Sequence, residues 1–156
     1  MAIDYTKLKE LREKTGVSFS VCKKALEESK NDLKKAEKLL NEWGAKKAEE
    51  KAERSTSQGG IFSYVHHNRK VGSMVELQCE TDFVSGNEEF KKLGAEFAMQ
   101  IASVEAATVE ELLKSEYIRE PGKTMNDLLK EAVLKFGENT KVARISKWVL
   151  GETPKK

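Results

Sequence analysis

Apolar residues in the first fifty positions recur every three or four, and from Ile61 onward they alternate. Ile3, Leu8 and Leu11 mark one face of a first helix, which Gly16 ends by allowing a left-handed backbone. Ser18 is placed to cap a second helix with Val21, Cys22, Ala25 and Leu26 on its apolar face. Asn31 or Asp32 caps a third, which carries Leu33, Ala36, Leu39, Leu40 and Trp43 and is expected to stop at Gly44. Three such helices make a bundle of about forty residues, close to the lower size limit for folding without a metal or disulfide. Ala45 to Arg54 has high helix propensity and almost no apolar stripe, which predicts a solvated helical extension. Ser55-Thr56-Ser57-Gln58-Gly59-Gly60 then predicts a flexible joint and module boundary.

Past that joint the period is 2. Ile61, Ser63 and Val65 alternate with Phe62, Tyr64 and His66, and His67-Asn68-Arg69-Lys70 predicts a hairpin turn. The return strand, Val71 to Cys79, is expected to bury Val71, Val75, Leu77 and Cys79 on one side. A long helix follows over roughly 86–104, with Phe90, Leu93, Phe97 and Ile101 on one face and Ser85 and Glu88 in capping-box register. A shorter helix starts at Thr108, Pro121-Gly122 breaks the chain, and Thr124 with Asp127 opens a helix that Gly137 ends after Phe136. Lys141 to Leu150 reads as a third strand. The expected fold is α+β. A three-helix module with a helical linker (1–54) precedes an antiparallel-sheet core (55–156), which has helices on one face and ends in a helix and a strand.

Between the second strand and the long helix lies Cys79-Glu80-Thr81-Asp82-Phe83-Val84-Ser85. Such corners are usually built from Gly, Asn, Asp or Ser, which satisfy the local backbone. A Phe at this point either plugs the protein's own core or anchors a partner. Pattern alone leaves both open.

Composition narrows the classes. The chain has 156 residues, 38% hydrophobic and 35% charged, with a formal net charge of +2. That charge is too small to argue for nucleic acid, and the lysines of 46–54 are interleaved with Glu49, Glu50 and Glu53. Cys22 and Cys79 have no CxxC partner and sit in apolar stretches, which suits buried thiols. His66 and His67 stand at a hairpin tip, where neighbours on a strand point to opposite faces and cannot converge on one ion. No phosphate-binding glycine loop, dinucleotide fingerprint or nucleophile elbow occurs. Asp82 has no candidate catalytic partner nearby in sequence. No apolar run approaches a membrane span, and Met1-Ala2-Ile3-Asp4-Tyr5 lacks the features of a targeting peptide, so a cytoplasmic protein is expected. The residues point to an interaction protein without covalent chemistry, and with no cofactor or metal.

The order of these signals resembles one family. Leu11-Arg12-Glu13-Lys14-Thr15-Gly16 followed by Cys22-Lys23-Lys24-Ala25-Leu26 is similar to the N-terminal module of translation elongation factor Ts. Glu76-Leu77-Gln78-Cys79-Glu80-Thr81-Asp82-Phe83-Val84 resembles that family's central segment, and Gly137-Glu138-Asn139 with Val142 and Arg144 resembles its C-terminal strand region. The resemblance implies a guanine-nucleotide exchange factor for elongation factor Tu, the GTPase that carries aminoacyl-tRNA. It implies a ubiquitin-associated-like fold for residues 1–54, docking through Leu11, Arg12, Gly16, Val17, Phe19 and Lys23. It also implies that Thr81, Asp82, Phe83 and Val84 enter the partner near its nucleotide and help dislodge Mg²⁺, Phe83 as wedge and Asp82 disturbing the polar network. No nucleic acid or membrane contact is implied.

Two departures stand out. Val17-Ser18-Phe19-Ser20-Val21 replaces the small-residue and methionine loop of many members, with Phe19 in place of a Met as the docking knob. Only one hairpin-plus-helix unit is present, and short members of the family can pair to rebuild a two-part core, so the resemblance leaves two expectations, a homodimer or a monomer that contacts less of the partner. Two readings from other classes compete. In one, a ubiquitin-associated-type binder carries a merely structural core, and its first module alone keeps function. In the other, a single-strand nucleic-acid binder uses Phe62 and Tyr64 on the sheet, and binding falls steeply with salt.

Overall fold

In the computed structural model, which describes residues 2–152, the chain runs α1 (Tyr5–Thr15), α2 (Phe19–Glu28), α3 (Leu33–Lys51), β1 (Gln58–Val65), β2 (Val71–Cys79), α4 (Asp82–Ser85), α5 (Glu88–Ser103), α6 (Val109–Lys114), α7 (Met125–Phe136) and β3 (Lys141–Val149). Two compact units divide it. One runs up to Glu53 and takes in Leu129–Glu138; the other comprises Arg54–Leu128 and the chain from Asn139 onward. No helix among the described residues is long and apolar enough to cross a membrane.

In the first unit each helix starts and stops where its end residues satisfy orphan backbone groups. The Asp4 carboxylate accepts the Thr6 and Lys7 N–H groups, and Gly16, at φ 70°, sends its N–H to the Arg12 carbonyl at 2.7 Å. Ser18 stands at the N-cap of α2 without a side-chain cap bond, and the Asp32 carboxylate accepts the Lys35 N–H at 3.1 Å to open α3. Asn31 ties the far end together, its amide oxygen accepting the Asp4 N–H and its amide nitrogen donating to the Ala2 carbonyl. Leu8, Leu11, Val17, Cys22, Ala25, Leu26, Ala36 and Leu40 form the core, with Trp43 and Leu134 packed against its margin.

Helix α3 does not stop at Gly44 as the pattern predicts. It continues to Lys51, because Gly44 is a close-approach position rather than a cap. A Cβ there would lie 2.7 Å from the Lys130 carbonyl oxygen of α7. The Lys51 ammonium also donates to the Gly137 carbonyl, the first one beyond α7.

The second unit is built on an antiparallel sheet in the order β1-β2-β3. Ser73, Val75, Leu77 and Cys79 of β2 are buried, as period-2 burial requires. Helix α5 covers that face with Phe90, Leu93, Phe97 and Ile101. Phe62 of β1 meets Phe90 edge-on at 6.0 Å between centroids, and Gly94 makes room for it, since a Cβ at 94 would sit 2.2 Å from the Phe62 ring. Gln100 of α5 is fully buried and holds the 115–118 segment, its amide nitrogen donating to the Glu116 carbonyl and its oxygen accepting the Ile118 N–H. Thr124 and Asp127 cap α7 reciprocally, backbone to side chain in both directions. Between β2 and β3 the register slips at Glu76/Leu77, where Arg144 and Val142 are the partners and Ala143 is the extra residue.

Three further expectations change. Gln58, Gly59 and Gly60 are not a flexible joint but the first residues of β1, paired with Cys79, Gln78 and Leu77. Asn87, not Ser85, caps α5, its side-chain oxygen accepting the Glu89 N–H at 2.8 Å. The rings of His66 and His67 lie 4.1 Å apart instead of on opposite faces, because β1 ends at Val65 and both residues belong to the turn.

The strand pairing also sets out the residues of the sheet's other face. Gly72 lies between Val65 and Trp148, Met74 between Ser63 and Ser146, and Glu76 between Ile61 and Arg144. Ile61, Val65, Met74 and Trp148 are all exposed on this side, Trp148 by 80%.

Candidate functional site

The strand β2 ends at Cys79 because the chain leaves the ladder at Glu80. The Glu80 carboxylate is held from two sides. One oxygen accepts the Asn139 N–H at 3.1 Å and the other pairs with the Arg54 guanidinium at 3.6 Å. The Asn139 amide donates to the Arg54 carbonyl at 2.9 Å, closing the set. Glu80 therefore fixes the corner to the entry of the sheet domain and to the start of β3. Thr81, extended at φ −124°, caps a single helical turn, α4, by accepting the Val84 N–H on its hydroxyl. The corner that pattern reading treats as a turn is thus a short capped helix. A break at Gly86-Asn87 separates it from α5.

This geometry decides what each side chain can do. Cys79 is buried, with its thiol donating to the Thr81 carbonyl at 3.3 Å. Val84 is half-buried. Asp82 is exposed, and among the described residues its carboxylate makes no ion pair. Phe83 is 87% exposed, more than any other large apolar side chain described. An isolated surface Phe needs no explanation by itself. This one differs in being offered by a turn whose backbone is capped and whose preceding residue is anchored twice.

The residues expected to dock from the first unit divide into two groups. Leu11 and Val17 are fully buried; Arg12 and Phe19 are exposed, Lys23 is half-buried, and Gly16 forms the left-handed corner. The loop between α1 and α2 is held from beneath. The Thr15 hydroxyl donates to the Leu11 carbonyl and accepts the Val17 N–H, and the Cys22 thiol donates to the Val17 carbonyl at 3.5 Å. Burial pushes the Cys22 thiol's pKa up, so it stays a protonated donor at neutral pH. Leu11, Val17, Thr15 and Cys22 thereby position the loop, and Arg12 of α1 and Phe19 of α2 are the exposed side chains of this set on either side of it. Lys135 of α7 lies beside Gly16 in the same unit. Nothing local in sequence points to it, since the two residues come together only through packing.

The chemistry these residues offer is apolar and electrostatic contact. Among the described residues no group of three or more His, Cys, Asp or Glu side chains is placed to hold a metal ion.

Comparison with known proteins bears on the same segments. Residues 80–153 match the family described as Elongation factor TS, and residues 1–49 match the one described as Elongation factor Ts, mitochondrial, N-terminal. The elongation factor Ts of Leptospira biflexa is 38% identical over 196 aligned positions, covering 97% of this chain and 99% of the relative. This chain belongs to the elongation factor Ts family. The member from Coprothermobacter proteolyticus is 36% identical and covers 97% of this chain and 100% of its own length. The Aquifex aeolicus member is 43% identical over 95% of this chain, which spans only 53% of that relative. The Elongation factor TS match begins at Glu80, the residue that anchors the corner, so the whole Thr81–Val84 turn falls inside it. The sequence marks Glu80 only as part of that corner and Asn139 only as part of the C-terminal segment, with nothing to join them. The one local signal for Glu80 is an acid directly after a buried strand, and its two partners are 26 and 59 residues away.

Proposed function

We propose that this chain is a guanine-nucleotide exchange factor for elongation factor Tu, acting in the cytoplasm during translation elongation. The observation that carries this reading is the pairing of an almost fully exposed Phe83 with an ion-pair-free Asp82 on a capped, doubly anchored turn. Thr81 to Val84 enter the GTPase beside its bound GDP. Phe83 wedges into an apolar gap, and the Asp82 carboxylate competes for the polar groups that hold Mg²⁺. Loss of that ion removes contacts to the phosphates, and GDP leaves. No covalent bond changes.

Thermodynamics sets the terms. A factor that binds the nucleotide-free state better than the GDP state must weaken GDP binding by the same factor. Each 1.4 kcal/mol of difference is about tenfold. Burying one Phe is worth roughly 1.5–3 kcal/mol, so Phe83 accounts for about one or two of those factors. The loss of Mg²⁺ contacts supplies the remainder, and Arg12, Phe19 and Lys23 on the first unit supply affinity. The test is release of a fluorescent GDP analogue from elongation factor Tu. The full chain is expected to accelerate it catalytically, and excess Mg²⁺ to oppose it. A chain that binds the GTPase with no acceleration would overturn the reading.

The open face of the sheet supports a homodimer. Ile61, Val65, Met74 and Trp148 are exposed there; Arg144 and Glu76 bond each other at 2.9 Å, and Lys141, in register with Gln78, stands at the end of the face away from Trp148. Two copies facing each other bury this apolar surface, with the Glu76–Arg144 pair internally balanced. Sedimentation equilibrium at micromolar concentration is expected to return twice the chain mass, and Trp148→Glu to return the single mass. A monomer mass for the unaltered chain rejects the pairing.

A further inference from the structure

Strand β3 is an edge of the sheet, and an edge strand offers its outer N–H and C=O groups to any strand that can reach them. Beside it runs a groove of about 700 Å³. One wall is Ile145–Val149 of β3; the other includes Glu105, Ala106 and Ala107 beyond α5 and Glu111 of α6, and Glu152 also lines the groove. We propose that this groove binds an extended basic segment of another protein, added antiparallel or parallel as a fourth strand beside β3.

Length, charge and shape each favour that occupant. Five strand residues span about 16 Å, enough to pair with a segment of five or six. The groove carries three carboxylates against one ammonium, and that ammonium, on Lys147, already donates to the Val104 carbonyl at 2.9 Å. Glu111 accepts the Ala107 N–H with one oxygen, while Glu105 and Glu152 make no ion pair among the described residues. Small side chains at 106 and 107 leave the strand accessible. Side chains of β3 alternate: Ser146 and Trp148 stand on the open face, Ile145, Lys147 and Val149 on the face of α5. A segment with Lys or Arg at every second position would set its cations toward the carboxylates on the side of α5. A second copy of this chain is disfavoured, because an edge-to-edge pair opposes one set of carboxylates to another. Nucleic acid is disfavoured by the same negative rim.

The groove shares no residue with the Thr81–Val84 turn, so its test stands apart from GDP release. The probe is a fluorescein-labelled, end-capped hexapeptide of alternating lysine and valine, titrated with the full chain and followed by anisotropy. Saturable binding is expected. N-methylation of alternate amides along one edge of the peptide should weaken it by roughly tenfold or more, and along the other edge hardly at all, as strand addition requires. The exposed pair of changes Glu105→Gln and Glu152→Gln should weaken it by roughly three- to tenfold, and Ala107→Lys should abolish it. Absence of saturable binding, equal loss from both methylated edges, or indifference to all three substitutions would overturn the proposal.

Discussion

Phe83→Ala is expected to slow catalysed GDP release from elongation factor Tu by roughly ten- to hundredfold, the rate equivalent of one buried Phe. The fold should be untouched. Phe83 is 87% exposed, and substitutions at such positions usually stay within about 0.5 kcal/mol of the parent. Affinity should fall less than rate, because Arg12, Phe19 and Lys23 remain in place on the first unit. The split is read from the dependence of the release rate on factor concentration: the plateau drops while the half-saturating concentration moves little. Phe83→Leu keeps most of the apolar volume and should recover most of the plateau. A Phe83→Ala protein with an unchanged plateau rules out the wedge, whatever the remainder of the chain does.

Gly94→Ala should cost the second unit a large part of its stability. The added Cβ would lie 2.2 Å from the Phe62 ring, with two more ring atoms within 2.5 Å. Neither side can retreat freely. Gly94 is buried in α5, and Phe62 is held by Phe90 at 6.0 Å. Overpacking of this kind costs about 1–3 kcal/mol, and here the upper end is expected. Calorimetry should show the melting temperature of the sheet domain down by roughly 10–20 °C. Phe62→Leu costs stability alone but should recover part of the loss when combined with Gly94→Ala, a positive coupling between contacting sites. If Gly94→Ala melts like the parent, the ring is free to move, and the tight strand–helix contact does not hold the sheet in place.

What sequence pattern reveals here is what short-range periodicity controls. Leu8, Leu11, Ala25, Leu26 and Leu40 fall on the faces that are buried, and Val75, Leu77 and Cys79 occupy the inner side of β2. The Gly16 and Gly137 helix ends and the Thr124–Asp127 cap are local hydrogen-bond chemistry and can be read directly. Glycine in other roles misleads. Gly44 looks like a breaker but sits where another element passes close by, as Gly94 does inside α5, and no neighbour in sequence records either element. Gly59 and Gly60 look like a joint because their pairing partners lie nearly twenty residues ahead. At the candidate site the chemistry-bearing side chains were visible as an odd Phe and an acid at a corner. Glu80 and Asn139, which make that corner rigid, were not, because their bonds join segments far apart in the chain.

Helix α7 enters the first unit only from Leu129 onward, with Lys130 against Gly44 and Leu134 against the three-helix core. During synthesis, helices α1 to α3 are complete about 75 residues before that last piece is made. At the usual pace of about 5–20 residues per second, this is a wait of roughly four to fifteen seconds. A bundle of that size is near the limit of independent stability, so through this interval the nascent chain carries an unfinished helical core. Gene fusions or truncations that end between residues 54 and 128 would leave it in that state permanently.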